Sequence, residues 1–169
     1  MIILGIDTAI RKTGYGVLEM SSAGKLKILD CGVIANTAKL RHSECLRRLS
    51  GGIGQLIDAF HPDAASIESA FVSRNIRTAM ILSLARGAVI AKLAERSVPV
   101  YEYSPKTAKR AATGRGEASK EQVAALIATM GGLNICDIPN DATDALALAL
   151  CHGSLALGAG GGLLLPDPV

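Results

Sequence analysis

The sequence predicts an α/β domain built on a five-stranded mixed sheet, three antiparallel hairpin strands followed by parallel strands, with helices on both faces. Three observations predict it. An apolar run opens the chain and closes on Asp7, and two β-rich segments follow across a short turn. From about residue 40 onward, short strand-like runs alternate with helical stretches. Hairpin strands succeeded by alternating helix and strand imply a mixed sheet whose later strands run parallel.

Residues 2–8 form a run apolar enough for a strand buried on both faces. Residues 13–20 and 25–36 are the second and third strands, joined by the turn Ser21-Ser22-Ala23-Gly24. A helix is expected over residues 40–60, with Leu46, Leu49, Ile53, Leu56, Ile57 and Phe60 on one face. Gly51-Gly52 weakens its middle and His61-Pro62 stops it. Residues 63–69 read as a fourth strand carrying Glu68 at its end, 75–97 as a long helix and 99–103 as a fifth strand. Ser104-Pro105 starts a helix, Ser as N-cap and Pro at the first turn. Short helices are expected at 105–112 and 119–130, and a last helix begins at Asn140, which is expected to cap it.

The long helix is apolar almost all round: Met80, Ile81, Leu84, Val89, Ile90 and Leu93 cover most of its circumference. Such a helix is buried on two sides. One side is expected to meet the sheet and the other the same helix of a second copy, giving a homodimer.

At 169 residues and 17.5 kDa, the chain is long enough for one domain with a full core and too short for two domains around a cleft. The expected division is a single domain over 1–157 and a flexible Gly-rich tail over 158–169. A hydrophobic content of 49% with a mean hydropathy of +0.33 excludes a disordered chain. Cys31, Cys45, Cys136 and Cys151 include no Cys-x-x-Cys pair, and the start Met-Ile-Ile-Leu-Gly-Ile-Asp lacks a basic leader, so reduced thiols and a cytoplasmic location are expected. Residues 145–165 carry no Asp, Glu, Lys or Arg, but His152, Gly153 and a glycine run interrupt them, which favours a buried helix over a membrane span.

Carboxylates carry the chemistry. Asp7 and Glu68 stand at the carboxyl ends of two predicted strands, the edge where ligand sites form in open α/β sheets. Asp141 and Asp144 lie three apart at the start of the last helix, so their side chains share a face. Part of the role of Asp141 is compensation of the helix dipole, an explanation weaker for Asp144 one turn further in. Four acids drawn together repel one another unless a cation meets them. A pair of Mg²⁺ or Mn²⁺ ions held about 4 Å apart by such ligands can activate water on one side of a phosphodiester and stabilise the leaving oxygen on the other. Set those four aside and 18 basic residues face the remaining 11 of 15 acidic ones, a balance suited to a polyanion. Lys106, Lys109, Arg110, Arg115 and Lys120 are gathered around Thr113-Gly114-Arg115-Gly116, a plausible phosphate-contacting element. Phe71 lies past a strand end among Arg74, Asn75 and Arg77, a setting for a base-stacking wedge beside the acids.

The set Gly5-Ile6-Asp7, Thr13-Gly14-Tyr15-Gly16-Val17, Ile67-Glu68-Ser69-Ala70-Phe71 with Arg74-Asn75, Ala85-Arg86-Gly87 and Asp141-Ala142-Thr143-Asp144-Ala145-Leu146-Ala147 resembles the RuvC family of Holliday-junction resolvases, in register to about residue 155. The resemblance implies a ribonuclease-H-like fold, a homodimer, a branch-migration motor as partner, and metal-dependent nicking of two like-polarity strands of a four-way DNA junction. The nicks carry 5′-phosphate and 3′-hydroxyl ends. It further implies that Asp7, Glu68, Asp141 and Asp144 are the catalytic metal ligands, that Phe71 lies near the crossover and that Lys109 and Lys120 lie near the scissile phosphates. One departure stands out: Thr8-Ala9 follows the first aspartate where the family commonly carries Pro-Gly. Ala tolerates positive φ less well than Gly and brings a β-carbon toward a phosphate, which bears on the loop and removes no ligand. The alternatives are a related nuclease acting on RNA or other branched DNA, and a catalytically silent junction-binding protein. An actin-like ATP-binding module shares the opening strand and Thr-Gly turn but needs a second lobe.

Overall fold

A computed structural model of the chain describes residues 1–69, 75–114, 116–132, 134, 136, 138–158 and 165–169. The opening apolar run forms β1 (Ile2–Asp7), followed by β2 (Lys12–Met20) and β3 (Leu26–Ala35). Then come α1 (His42–Phe60), β4 (Ala64–Glu68), α2 (Ile76–Glu95), β5 (Val100–Tyr103), α3 (Pro105–Thr113), α4 (Lys120–Gly131) and α5 (Asn140–Leu157). The strands lie side by side in the order β3-β2-β1-β4-β5. β1 pairs antiparallel with β2 and parallel with β4, and β4 pairs parallel with β5. This is the mixed sheet expected from the alternation of periods.

Side-chain parity divides the core. Leu4, Ile6, Val17, Ala65, Ile67 and Val100 meet Leu49 and Ile53 of α1 and Val89 and Leu93 of α2 on one face. Ile3, Leu18, Met20 and Tyr103 meet α3, α4 and α5 on the other. The second face admits α5 at very close range because its central strands carry glycine there. A β-carbon on Gly5 would stand 1.9 Å from the Ala145 carbonyl oxygen, and one on Gly16 would stand 2.4 Å from the Leu146 side chain. A helix whose backbone touches a sheet needs such a trough.

Local details follow physical causes. α1 runs unbroken through Gly51-Gly52, and Gly52 packs beneath Ile34, which would stand 2.9 Å from a β-carbon there. His61 ends it in the left-handed conformation at φ 46°, before Pro62. Ser104 caps α3 by accepting from the Thr107 N–H, with Pro105 in the first turn. The start of α5 differs from expectation: Pro139, not Asn140, occupies the cap position, and its carbonyl accepts from the Ala142 N–H at 2.8 Å. Only one side of α2 is covered. Ala85, Val89 and Leu93 are buried, whereas Ile76, Met80 and Leu84 are 76%, 64% and 52% exposed.

Residues 159–164 of the expected tail lie outside the described residues. Beyond them the chain runs beside edge strand β5, where the Val169 N–H donates to the Val100 carbonyl at 2.8 Å. Among the described residues no helix is long and apolar enough to cross a membrane.

Candidate active site at the carboxyl ends of the central strands

Parity places the first two acids. Asp7 follows Ile3 and Gly5 on the α5 face of β1, and Glu68 follows Ser66 on the same face of β4. The parallel register pairs Ile6 with Ile67, so Asp7 and Glu68 stand side by side at adjacent strand ends. Both line a hollow of about 250 Å³ with Thr8, Ala79, Leu82 and Arg86. Glu68 also lines a second hollow of about 230 Å³ with Asp144 of α5 and Lys109 of α3. Glu68 is therefore common to both, with Asp7 on one side and Asp144 and Lys109 on the other.

Asp141 sits at the rim. Its carboxylate pairs with Lys12 Nζ at 3.9 Å, and both side chains are well exposed. Asp7 shares a hollow with Glu68 and Glu68 shares another with Asp144, and among the described residues no three His, Cys, Asp or Glu side chains form a closed metal-holding group. Mutual repulsion among carboxylates and the attraction of Lys12 for Asp141 both favour this spacing. Asp7, Glu68 and Asp144 are each half-exposed, as a site open to a large substrate requires.

The candidate DNA contacts that the structure describes lie on α2, α3 and α4. Lys109 enters the second hollow, while Lys106 and Arg110 are exposed on α3 and Arg77 is exposed in the first turn of α2. Lys120 opens α4. Phe71, Arg74 and Arg115 lie outside the described residues.

Two ionisable pairs support the site from behind. Arg86 donates to the Glu68 carbonyl and to the Glu102 carboxylate. On the α5 side, the Tyr103 hydroxyl and His152 Nδ1 are hydrogen-bonded at 2.8 Å, and Tyr101 stacks against the imidazole at 4.4 Å. Burial holds the His152 pKa down at about 4 and pushes that of neighbouring Cys151 up to about 11, so both are neutral near pH 7.

Comparison with known proteins places the chain in a family. A family model described as crossover junction endodeoxyribonuclease RuvC matches residues 3–152.

The chain belongs to the RuvC family.

It is 44% identical over 151 residues to the crossover junction endodeoxyribonuclease RuvC of Chlorobaculum parvum, covering 89% of this chain and 80% of that one. A solved structure of T. thermophilus RuvC in complex with Holliday junction substrate matches with a TM-score of 0.89 at 31% identity, covering 100% of this chain and 99% of that chain. A second Thermus thermophilus RuvC structure matches with a TM-score of 0.85 at 31% identity, with full coverage of both chains. The ribonuclease-H-like fold expected from the motifs is the observed one.

The Thr8-Ala9 departure costs the loop no backbone strain. Among the described residues, positive φ outside glycine occurs at His61 and Ser97 only, so Ala9 keeps an ordinary backbone. Buried Thr13 clasps it: the Thr13 hydroxyl donates to the Ala9 carbonyl at 2.5 Å and accepts from the Ala9 N–H at 3.2 Å.

Sequence reasoning passed over the residues that seat the acids. Gly14 pairs with Asp7 across the hairpin, and a β-carbon there would stand 1.6 Å from the Asp141 carbonyl oxygen. Glycines at 14 and 16, two apart on a strand, were the available signal that something approaches that face. In the sequence Arg86 is marked only as part of Ala85-Arg86-Gly87 and Glu102 not at all, because their pairing depends on how α2 packs against β5.

Proposed function

We propose that this chain acts as a crossover junction endodeoxyribonuclease, nicking two like-polarity strands of a four-way DNA junction to leave 5′-phosphate and 3′-hydroxyl ends. The observation that carries the reading is Glu68, shared between two hollows at the carboxyl ends of β1 and β4, with Asp7 on one side and Asp144 with Lys109 on the other. That is a row of acids with a cation beside it, open to solvent, on a chain that is basic outside the row.

The donors are carboxylate oxygens throughout, which fits a hard divalent cation and not a soft one. Asp7, Glu68, Asp144 and, from the rim, Asp141 would hold two Mg²⁺ ions, with Mn²⁺ as a substitute. Bound there, the ions supply an activated water and charge stabilisation at the leaving oxygen. The chain's own residues do the rest. Lys109 offers its ammonium to a backbone phosphate beside Glu68 and Asp144. Lys106, Arg110 and Arg77 extend the positive surface, and Phe71, Arg74, Arg115 and Lys120 are the further DNA contacts proposed from sequence. Thr13 holds the loop after Asp7. Burial of apolar surface favours covering the open side of α2 with the same helix of a second copy, which sets two sites in symmetric relation for paired nicks. The proposed setting is a single domain over 1–157, working in the cytoplasm with a branch-migration motor.

The test is a panel of labelled substrates with Mg²⁺ or Mn²⁺: an immobile four-way junction, the matched duplex, single-stranded DNA and an RNA–DNA hybrid. Symmetric nicks on the junction alone, abolished by chelation and by Asp7→Asn, support the proposal. Equal cutting of duplex or hybrid moves the chain to a nuclease of another substrate class. Binding without cutting makes it a silent junction binder.

A further inference from the structure

Arg86 lies in the segment Ala85-Arg86-Gly87 and is not itself among the acids or the basic residues assigned to DNA. It lies on the inner side of α2 with its side chain 13% exposed. One guanidinium nitrogen donates to the backbone carbonyl of Glu68 and another to the Glu102 carboxylate. Glu102 stands across the β4–β5 ladder from Ile67, one position before Glu68, and its side chain is 32% exposed. The same guanidinium lines the hollow that Asp7 and Glu68 share.

Glu68 is the last residue of β4. Its neighbour Ser69 is still held, its N–H donating to the Tyr103 carbonyl at 2.9 Å. The Glu68 carbonyl and the Ser69 N–H belong to one planar peptide unit, so Arg86 on the carbonyl and Tyr103 on the N–H together fix the plane from which the Glu68 side chain departs. Since Glu68 serves two hollows at once, its direction matters more than that of a ligand serving one.

We infer that Arg86 is a positioning residue: its grip on the Glu68 carbonyl, anchored by Glu102, sets the direction in which the Glu68 carboxylate faces the two hollows. A planar guanidinium suits this task because its donors diverge at fixed angles onto a carbonyl and a carboxylate together, which an ammonium cannot reproduce. The arrangement also ties the site to the helix that exposes Ile76, Met80 and Leu84 on its outer side.

The inference rests on the reading that Glu68 holds a cation, so the experiment separates the two. Mn²⁺ binding by titration calorimetry and junction cleavage across a Mg²⁺ series are measured for the full chain and for Arg86→Ala, Arg86→Lys, Glu102→Gln, Glu68→Gln and Asp7→Asn. Arg86→Ala is expected to bind the metal-free junction within twofold of the unaltered chain. Its Mn²⁺ affinity falls about tenfold or more, the loss typical of residues that orient metal ligands. Its Mg²⁺ requirement rises in step, with smaller shifts in the same direction for Arg86→Lys and Glu102→Gln. Unchanged Mn²⁺ affinity in folded Arg86→Ala overturns the inference, and so does a loss of junction binding that matches the loss of cleavage, which would make Arg86 a DNA contact. If Arg86→Ala does not fold, unchanged Mn²⁺ affinity in both Arg86→Lys and Glu102→Gln overturns it. If Glu68→Gln and Asp7→Asn themselves bind Mn²⁺ normally, the cation reading fails and the inference falls with it. If those two lose Mn²⁺ while the Arg86 variants keep it, the inference alone fails.

Discussion

The Asp141 carbonyl oxygen occupies the space that a β-carbon on Gly14 would fill, 1.6 Å from its position, and Gly14 is the hairpin partner of Asp7. The last helix can therefore bring its acids to the strand ends only because residue 14 has no side chain. Gly14→Ala forces backbone against backbone, so it should cost at least the ~1–3 kcal/mol typical of overpacking. It should also slow cleavage by lifting the start of α5 off the sheet. Urea unfolding and junction cleavage of the variant check both effects, and a stable, fully active Gly14→Ala would show that the contact is not needed.

Asp7→Asn and Asp144→Asn keep the shape of the site and remove a charged ligand. Each should reduce cleavage more than about a hundredfold, beyond the loss seen for residues that only support a ligand, while junction binding is retained. Asp141→Asn should also slow cleavage, yet it should change stability by less than about 1 kcal/mol, because its pair with Lys12 is a surface one. Cleavage rates beside gel-shift and unfolding measurements separate the three quantities.

Lys109→Ala removes the ammonium that lines the hollow of Glu68 and Asp144. The expected result is slower cleavage, with the slope of log binding constant against log salt reduced by about 1. An unaltered rate and slope would take Lys109 out of the site.

His152 predicts a pH dependence of stability. Its folded pKa of about 4 lies below the ordinary value of 6.5, so between these values the unfolded chain binds the proton and the folded chain does not. Stability from this residue is intact above pH 6.5 and falls as the pH drops toward 4, by up to about 3 kcal/mol. Unfolding free energies across that range should show the fall. His152→Gln should lack that part of it, leaving only the carboxylate titration below about pH 5.

The architecture was legible in the sequence because its elements are strongly marked. His61-Pro62 and Ser104-Pro105 punctuate the helices, and the apolar run before Asp7 has the length of a buried strand. The acids were legible for the same reason, since strand ends and a three-residue spacing can be read locally. Their distribution was not. That Asp141 turns to Lys12, and that Glu68 is shared while Asp7 and Asp144 lie on opposite sides of it, depends on the closeness of α5 to the sheet. Gly14 and Gly16, two apart on a strand, hint at that closeness, but which helix approaches them shows only in three dimensions. The composition of α2 predicts burial on two sides; one side is covered by Ala85, Val89 and Leu93, and Ile76, Met80 and Leu84 stand exposed on the other.

That exposed side yields a further prediction. Leu84 is 52% exposed beside Met80, so Leu84→Glu should leave the monomer folded and place a charge in the proposed two-fold contact. Sedimentation should show a dimer for the unaltered chain and a monomer for the variant. Equal masses would remove α2 from the contact.

The central claim is that the acid row at the ends of β1 and β4 resolves four-way junctions. It is tested most directly with a supercoiled plasmid carrying an extruded cruciform, incubated with the chain and Mg²⁺. The account predicts a linear product from paired nicks across the cruciform, and no product from Asp7→Asn. An intact cruciform, or equal cutting of a plasmid lacking it, would contradict the account.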